Sequence, residues 1–366
     1  MADVRITRLA QLITEYSVSI REGDEVVIRA GIEALPLIRE LVREIVSRGA
    51  YPHMLIQDSA AEEIFYRYAR ENVLKNLSPL DKFIMENVDA MISIISDSHS
   101  KPLINVNPER LKIRQAARAE LNEIFMRRQA SGELRWNVTL YPTNALAQEA
   151  GMGPIEYEEY VFKACMVDRD NSIESWREQA RKQEEIVTLL SKIDELKITS
   201  DEIDLVLKVG GRKWINDDGH HNMPAGEVFS APIEDSAEGY VKFDYPSVWR
   251  GFEVEGVKLK FRRGEVVETY AEKGEEKLRK MLETDDGARR IGEIAFGLNY
   301  NITRATKEIL LDEKMGGTMH LALGAAYPET GGKNKSAIHW DFIMDLRRGK
   351  VYGDGELIYE NGEFLL

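Results

Sequence analysis

At 366 residues with 43% hydrophobic side chains, the chain exceeds what one core usually carries, so two domains are the default expectation. Its 49 basic and 63 acidic residues leave a net charge of −14, which argues against a general nucleic-acid or anionic-membrane binder, since either needs a basic face. A single cysteine excludes an internal disulfide framework and points to a reducing, cytoplasmic compartment.

The N-terminal stretch MADVRITRLAQLITEY is broken by charges, so no signal peptide is expected. No window reaches the ~18 uninterrupted apolar residues of a membrane span. After this opening helix, Val26, Val27 and Ile28 mark a short buried strand. Leu35, Ile38, Leu41, Val42, Ile45 and Val46 then recur at helical spacing, with Gly49 placed where a helix C-terminus favours it. HMLIQ (His53 to Gln57) and AMISIIS (Ala90 to Ser96) are two more strands, separated by an acidic, aromatic helix from about Ala60. Asn107 followed by Pro108 is a cap with proline at the first helical position, opening a long helix toward Arg128. Trp136, Val138 and Leu140 alternate as a further strand. Strands separated by helical patterns of this length predict βαβ units and a largely parallel sheet. Cys165 lies in the apolar run YVFKACMV and reads as a buried structural thiol.

A charged helical connector runs from about Ser175 to Lys197. Beyond it the character changes. IDLVLKV, GEVFSAPI, GFEVEGVKLKF and EVVETY alternate with period two, and Arg262-Arg263-Gly264 reads as a hairpin turn. Glu275 to Leu282 and Ala288 to Ala295 read as helices, and KVYGDGELIYENGEFLL as a β meander with glycine turns. The expectation is an α/β, Rossmann-like N-terminal domain over 1–197, connector included. It is followed by an α+β C-terminal domain over 198–366 with mostly antiparallel strands.

No G-x-G-x-x-G follows the first strand, and there is no Walker loop, G-x-S-x-G elbow or H-E-x-x-H. Chemistry-bearing residues concentrate instead between Gly316 and Phe342, where His320, Tyr327, His339 and Asp341 stand in otherwise apolar or glycine-rich sequence. In IHWDF, a strand places His339 and Asp341 on one face and Ile338, Trp340 and Phe342 on the other. Such a pair on an apolar strand must be hydrogen-bonded or metal-bound, because burying it bare is costly. A core His–Asp hydrogen bond and a metal site both satisfy that requirement. Glu227 in MPAGEVFSAP is either a site residue or a surface glutamate after a turn. Glu293 in ARRIGEIAFG is either a site residue or an exposed helical one paired with Arg289 or Arg290. His220 and His221 read as a surface loop, and His53 and His99 receive no role. Glu234 and Asp235 either orient ligands from behind or form a solvated turn.

GEVFSAP, ARRIGEIAFG, MHLALGAAY and IHWDF, in that order, resemble the aminopeptidase T family of dimetal aminopeptidases, also called thermophilic metalloproteases. The likeness extends upstream through EGDEVVIRAGIEALPLIRELVREIVSRGAYPHM and WNVTLYPTNALAQEAGMGPIEYEEYVFKAC, and so covers nearly the whole chain. The resemblance implies an α/β domain, a catalytic C-terminal domain and a homodimer acting on peptides. Two divalent ions (zinc, cobalt or manganese) would be held by Glu227, Glu293, His320, His339 and Asp341, with Tyr327 as the catalytic tyrosine. Its clearest irregularity is the PETGGKNKSAI linker. Three carboxylates and two imidazoles suit a pair of such ions roughly 3.5–4 Å apart, which acidify a water toward neutrality. One ion can also take a free α-amine, the mark of an exopeptidase. A tyrosine hydroxyl can donate to the developing oxyanion. Another metal-dependent amidase, or a non-catalytic metal-binding scaffold, is the alternative.

Overall fold

The computed structural model describes residues 3–249 and 251–366. Two compact units emerge. The first runs to Ile173 and takes back Gly219–Pro224; the second comprises Glu174–Asp218 and Ala225–Leu366. The connector is the helix Ser172–Leu190, whose Ile186 and Leu190 join the core of the second unit. Lys197, where the sequence suggests a boundary, lies inside the strand Glu195–Ser200 of that unit.

In the first unit the expected strands form an all-parallel sheet. Its lateral order is Tyr51–Gln57, Glu25–Gly31, Ala90–Ile95, Arg135–Leu140 and the short Asn222–Met223. The central strands carry continuous apolar runs, Val26 to Ile28 and Ala90 to Ile92, as a parallel sheet covered on both faces requires. The Asn107 side chain caps its helix by accepting the Glu109 N–H at 2.9 Å. That helix is not continuous, however. It divides at Arg118 into Pro108–Ala117 and Ala119–Ala130, with Arg118 leaving helical geometry and donating to Asp81 at 3.1 Å. No glycine or proline foretells this break.

The second unit stacks two antiparallel sheets. The eight-stranded one runs, edge to edge, Glu265–Tyr270, Lys258–Arg262, Glu238–Lys242, Ile203–Lys208, Glu195–Ser200, Lys350–Gly353, Glu356–Glu360 and Glu363–Phe364. Arg263 and Gly264 both take positive φ (48° and 77°), the two-residue turn that matches strand twist and closes the predicted hairpin. The five-stranded sheet has the order Ile215–Asp217, Glu227–Ser230, Ile291–Gly297, Thr318–Gly324, His339–Asp345. One core joins them, with Leu196, Ile198, Leu205 and Leu207 from the first and Ile294, Phe296, Leu321, Trp340 and Phe342 from the second.

One expectation is overturned here. Residues 288–295 are not a helix: a single 3-10 turn, Asp286–Arg289, gives way to the strand Ile291–Gly297, every residue of which is buried. The segment's short apolar run suits either structure locally. Its place between two partner strands decides for the sheet.

Candidate metal centre

Register places the polar residues of the five-stranded sheet together. Glu293 pairs with Ala322, which pairs on its other side with Asp341. His320 is opposite Ala295, and Glu227 is opposite Gly297. Directly opposed residues share a face, and so do residues two apart along a strand. Glu227, Glu293, His320, His339 and Asp341 therefore project from the same face. Between them on that face stand Ala295, Gly297, Ala322 and Gly324, whose small side chains leave room above the sheet, while Phe229, Thr318 and Ile343 flank them. The opposite face carries Val228, Ile294, Phe296, Leu321, Trp340 and Phe342 into the core. Burial of that apolar face presents the ionisable one, and the HxD alternation emerges as the sequence predicts.

The side chains converge. His339 Nε2 is 3.0 Å from Glu293 Oε2 and 3.6 Å from Asp341 Oδ1. His320 Nε2 is 3.6 Å from Glu293 Oε1 and 3.7 Å from Glu227 Oε2. Glu293 thus turns one oxygen toward each imidazole. The His339 Nδ1 lies 2.8 Å from the Ala325 carbonyl, which can only accept, so Nδ1 carries the proton and a neutral ring keeps its lone pair on Nε2, facing the carboxylates. A plain core His–Asp hydrogen bond does not describe this geometry.

Glu313 joins the set and was not singled out from the sequence. It follows the short helix Ile309–Asp312 and stands with Glu227 and His320 at metal-ligand spacing, while Glu293, His339 and Asp341 form a second such group. The next residue, Lys314, is fully buried and donates to Glu227 Oε1 at 3.1 Å and to Glu313, with Asp217 at 3.4 Å. Gly297 lets this segment approach, because a Cβ there would collide with the Met315 carbonyl. In DEKMGG, Glu313 looks like one charge of a solvated run. The signal available is its position, seven residues before His320 and three before the glycine pair Gly316-Gly317.

Electrostatics agree that the centre is rich in negative charge. Burial works against a charged imidazole, yet the surrounding Glu293, Glu227 and Asp341 raise His320 to about 9. Burial likewise opposes a charged His339, which Asp341 and Glu293 hold at about 10. Burial pushes Asp341 up to about 6 and Glu227 well above the usual carboxylate range, the latter only partly countered by Lys314. Glu293 is held down at about 2, because its contacts with both imidazoles outweigh burial. Among the described residues, Glu227 Oε2 and Asp341 Oδ1 are buried without a hydrogen-bond partner. Orphaned carboxylate oxygens facing imidazole nitrogens fit divalent cations of the zinc, cobalt or manganese type, which accept such mixed oxygen and nitrogen donors.

Tyr327 stands at the edge of this set, its ring 5.0 Å from that of His339 and 5.6 Å edge-on from Phe229. The residue is 40% exposed, but burial of its hydroxyl end and the nearby charges of Glu293 and Asp341 raise the phenol well above its ordinary value, keeping it a donor. Glu234 accepts from Arg212 at 2.8 Å and from the Lys333 N–H at 2.7 Å, and Arg212 also donates to the Gly331 carbonyl. Glu234 therefore clamps the loop joining Tyr327 to His339 and does not orient the ligands; Asp235 is exposed. His220 and His221 lie in a bend of the first unit, His221 exposed as a surface loop predicts, with rings 4.6 Å from those of Tyr16 and Trp136 respectively. His53 pairs with Glu25, His99 accepts a backbone N–H from Lys101, and Cys165 is fully buried, its thiol pushed up by that burial.

Comparisons with known proteins agree with this geometry. The profile of the thermophilic metalloprotease (M29) family matches residues 2–364. Aminopeptidase 2 of Geobacillus stearothermophilus is 28% identical, over 98% of this chain and 97% of that protein. Aminopeptidase T of Thermus thermophilus is 27% identical, over 98% and 95%. The solved structure of wild-type AmpT from Thermus thermophilus superposes with a TM-score of 0.85 at 27% identity, covering 99% of each chain. With a profile match from end to end and a fold shared with a solved relative, the chain belongs to the thermophilic metalloprotease (M29) family.

Proposed function

We propose that the chain is a metal-dependent aminopeptidase that hydrolyses the N-terminal peptide bond of peptides at a centre of two divalent ions. The observation that carries this reading is the pair of ligand groups meeting at Glu293, one oxygen toward each. Glu227, Glu313 and His320 would hold one ion; Glu293, His339 and Asp341 the other, with Glu293 shared. Bound there, such ions supply Lewis acidity, which brings a water's pKa from 15.7 to roughly 7 and polarises a carbonyl. The chain's own residues do the rest. Ala325 fixes the His339 tautomer, Lys314 offsets part of the buried carboxylate charge, and Tyr327 donates its hydroxyl to the oxyanion that develops at the scissile carbonyl. Carboxylates not saturated by lysine also suit a free α-ammonium group at the substrate's N-terminus.

Zinc, cobalt and manganese are the candidate metals, and a cytoplasmic homodimer is the expected form. The test is release of p-nitroaniline from leucine p-nitroanilide, lost on chelation and restored by cobalt or zinc. N-acetyl-leucine p-nitroanilide should remain uncut. Cleavage of the blocked substrate would instead indicate a general amidase, and no turnover with metal bound would indicate a scaffold.

A further inference from the structure

The parallel sheet of the first unit has its own crevice, of about 600 Å³, at the carboxyl ends of the strands Glu25–Gly31 and Ala90–Ile95. These two strands are adjacent, and the chain departs from them in opposite lateral directions: Tyr51–Gln57 lies beyond the first, Arg135–Leu140 beyond the second. Open parallel sheets bind ligands at this kind of topological switch point, and the volume falls within the ~300–1,000 Å³ of small-molecule sites. The walls stay close here because Gly31 has no side chain: a Cβ would press on the Ser96 carbonyl, while the Gly31 N–H donates to Ser96 Oγ at 2.8 Å.

The lining is unevenly charged. Arg29, half-buried on the central strand, has no hydrogen-bond or ion-pair partner among the described residues. Its neighbour Arg118 is already engaged by Asp81. Burial and then the charge of Arg118, which lines the same crevice, lower the Arg29 pKa against the weaker pull of Asp81 and Glu62. Glu62 and Asp97 line the same crevice: burial and Asp97 raise Glu62 against the pull of Arg29 and Arg118, while burial and Glu33 raise Asp97, so the carboxylates also crowd one another. A half-buried unpaired guanidinium is costly unless an anion meets it. The carboxylates of the same lining make a simple anion such as phosphate a poor occupant. Among the described residues, these carboxylates do not close to metal-ligand spacing, which disfavours a bare cation. Phe65, also in the lining, adds an apolar surface.

We infer that this crevice binds a small zwitterion, a free amino acid with an apolar side chain, with its carboxylate on Arg29 and its ammonium group between Glu62 and Asp97. Free amino acids are what an aminopeptidase releases, but the recognition chemistry here is independent of that activity. Calorimetric titration of L-phenylalanine into the full-length chain, stripped of metal by chelation, tests it. Binding should weaken at least about tenfold in Arg29→Gln and in the Glu62→Gln/Asp97→Asn double variant, and recover in Arg29→Lys. His339→Ala should leave it unchanged. N-acetyl-phenylalanine and phenylalaninamide, each lacking one charge, should bind at least about tenfold more weakly. Melting temperatures check folding, and the carboxylate variants carry the test if Arg29→Gln does not fold. Absence of binding at millimolar L-phenylalanine, binding lost in His339→Ala but kept in Arg29→Gln, or inorganic phosphate binding as well as L-phenylalanine would each overturn the inference.

Discussion

The two groups of the candidate metal centre that could each hold an ion use the same donor types in unlike surroundings. Glu227 and His320 are 4% and 1% exposed, and Lys314 lies beside them with no exposed surface. Across Glu293, the His339 side chain is 24% exposed and Asp341 13%, with the half-open Tyr327 alongside. One group has two fully buried ligands, with only Glu313 part-exposed, and is braced by a buried cation; the other meets solvent through both His339 and Asp341. In the proposed enzyme the inner group would anchor an ion, and the outer group would face substrate.

The sharpest way to break that contrast is at the residue common to both sides. Glu293→Gln should abolish turnover and lower metal content at both positions together, as read by metal analysis beside the leucine p-nitroanilide assay. Loss of only one ion would show that Glu293 is not shared. Lys314→Met touches the inner side alone. It leaves Glu227, Glu313 and Asp217 without their buried cation, and should cost about 3–5 kcal/mol in denaturant unfolding of the chelated protein. Added divalent ions should recover part of this. Tyr327→Phe touches the outer side alone: kcat should fall on the order of 10²–10³-fold, about 2.7–4 kcal/mol, with metal content unchanged. A change confined to KM would remove the oxyanion role.

Proton linkage sharpens the comparison further. In chelated protein the raised imidazoles stabilise the fold fully below their ordinary value of 6.5, and this contribution is lost as pH rises through about 9 for His320 and about 10 for His339. Asp341, raised to about 6, acts in the same direction at lower pH. Stability of the chelated form should therefore decline from neutral to alkaline pH. In the cobalt-loaded form that decline should be much smaller, since the ligating imidazoles are already neutral. Parallel unfolding curves at several pH values would decide it, and equal slopes would contradict the ligand assignment. Smallest of all, Glu234→Gln should cost within about 1 kcal/mol of stability, because its pair with Arg212 is part-exposed. It should change KM a few-fold by loosening the loop between Tyr327 and His339.

Much of this was legible before any fold. Period-two alternation in IHWDF and EVVETY marked strands and, in the first, which side chains share a face. The resemblance supplied six site positions, and all six meet. ARRIGEIA reads as a helix because so short a stretch has no periodicity that separates a buried strand from a helix. Glu313 does not stand out in sequence, because a carboxylate in DEK has the look of solvent-facing charge. Its burial against Lys314 depends on a chain approach that only a packed neighbour, Gly297, reveals.

By itself, then, the sequence determined the two architectures and the alternation of strands such as His339–Asp345, though not the fully buried Ile291–Gly297, because pleat and turn chemistry act over a few residues. Tertiary structure alone decided the lateral order of five strands, and with it that Glu293 stands between His320 and His339 with an oxygen for each. It also decided that a lysine is buried beneath them. Those relations link residues up to 114 positions apart, from Glu227 to Asp341, and are set by which strands hydrogen-bond to which, information that no local spacing carries.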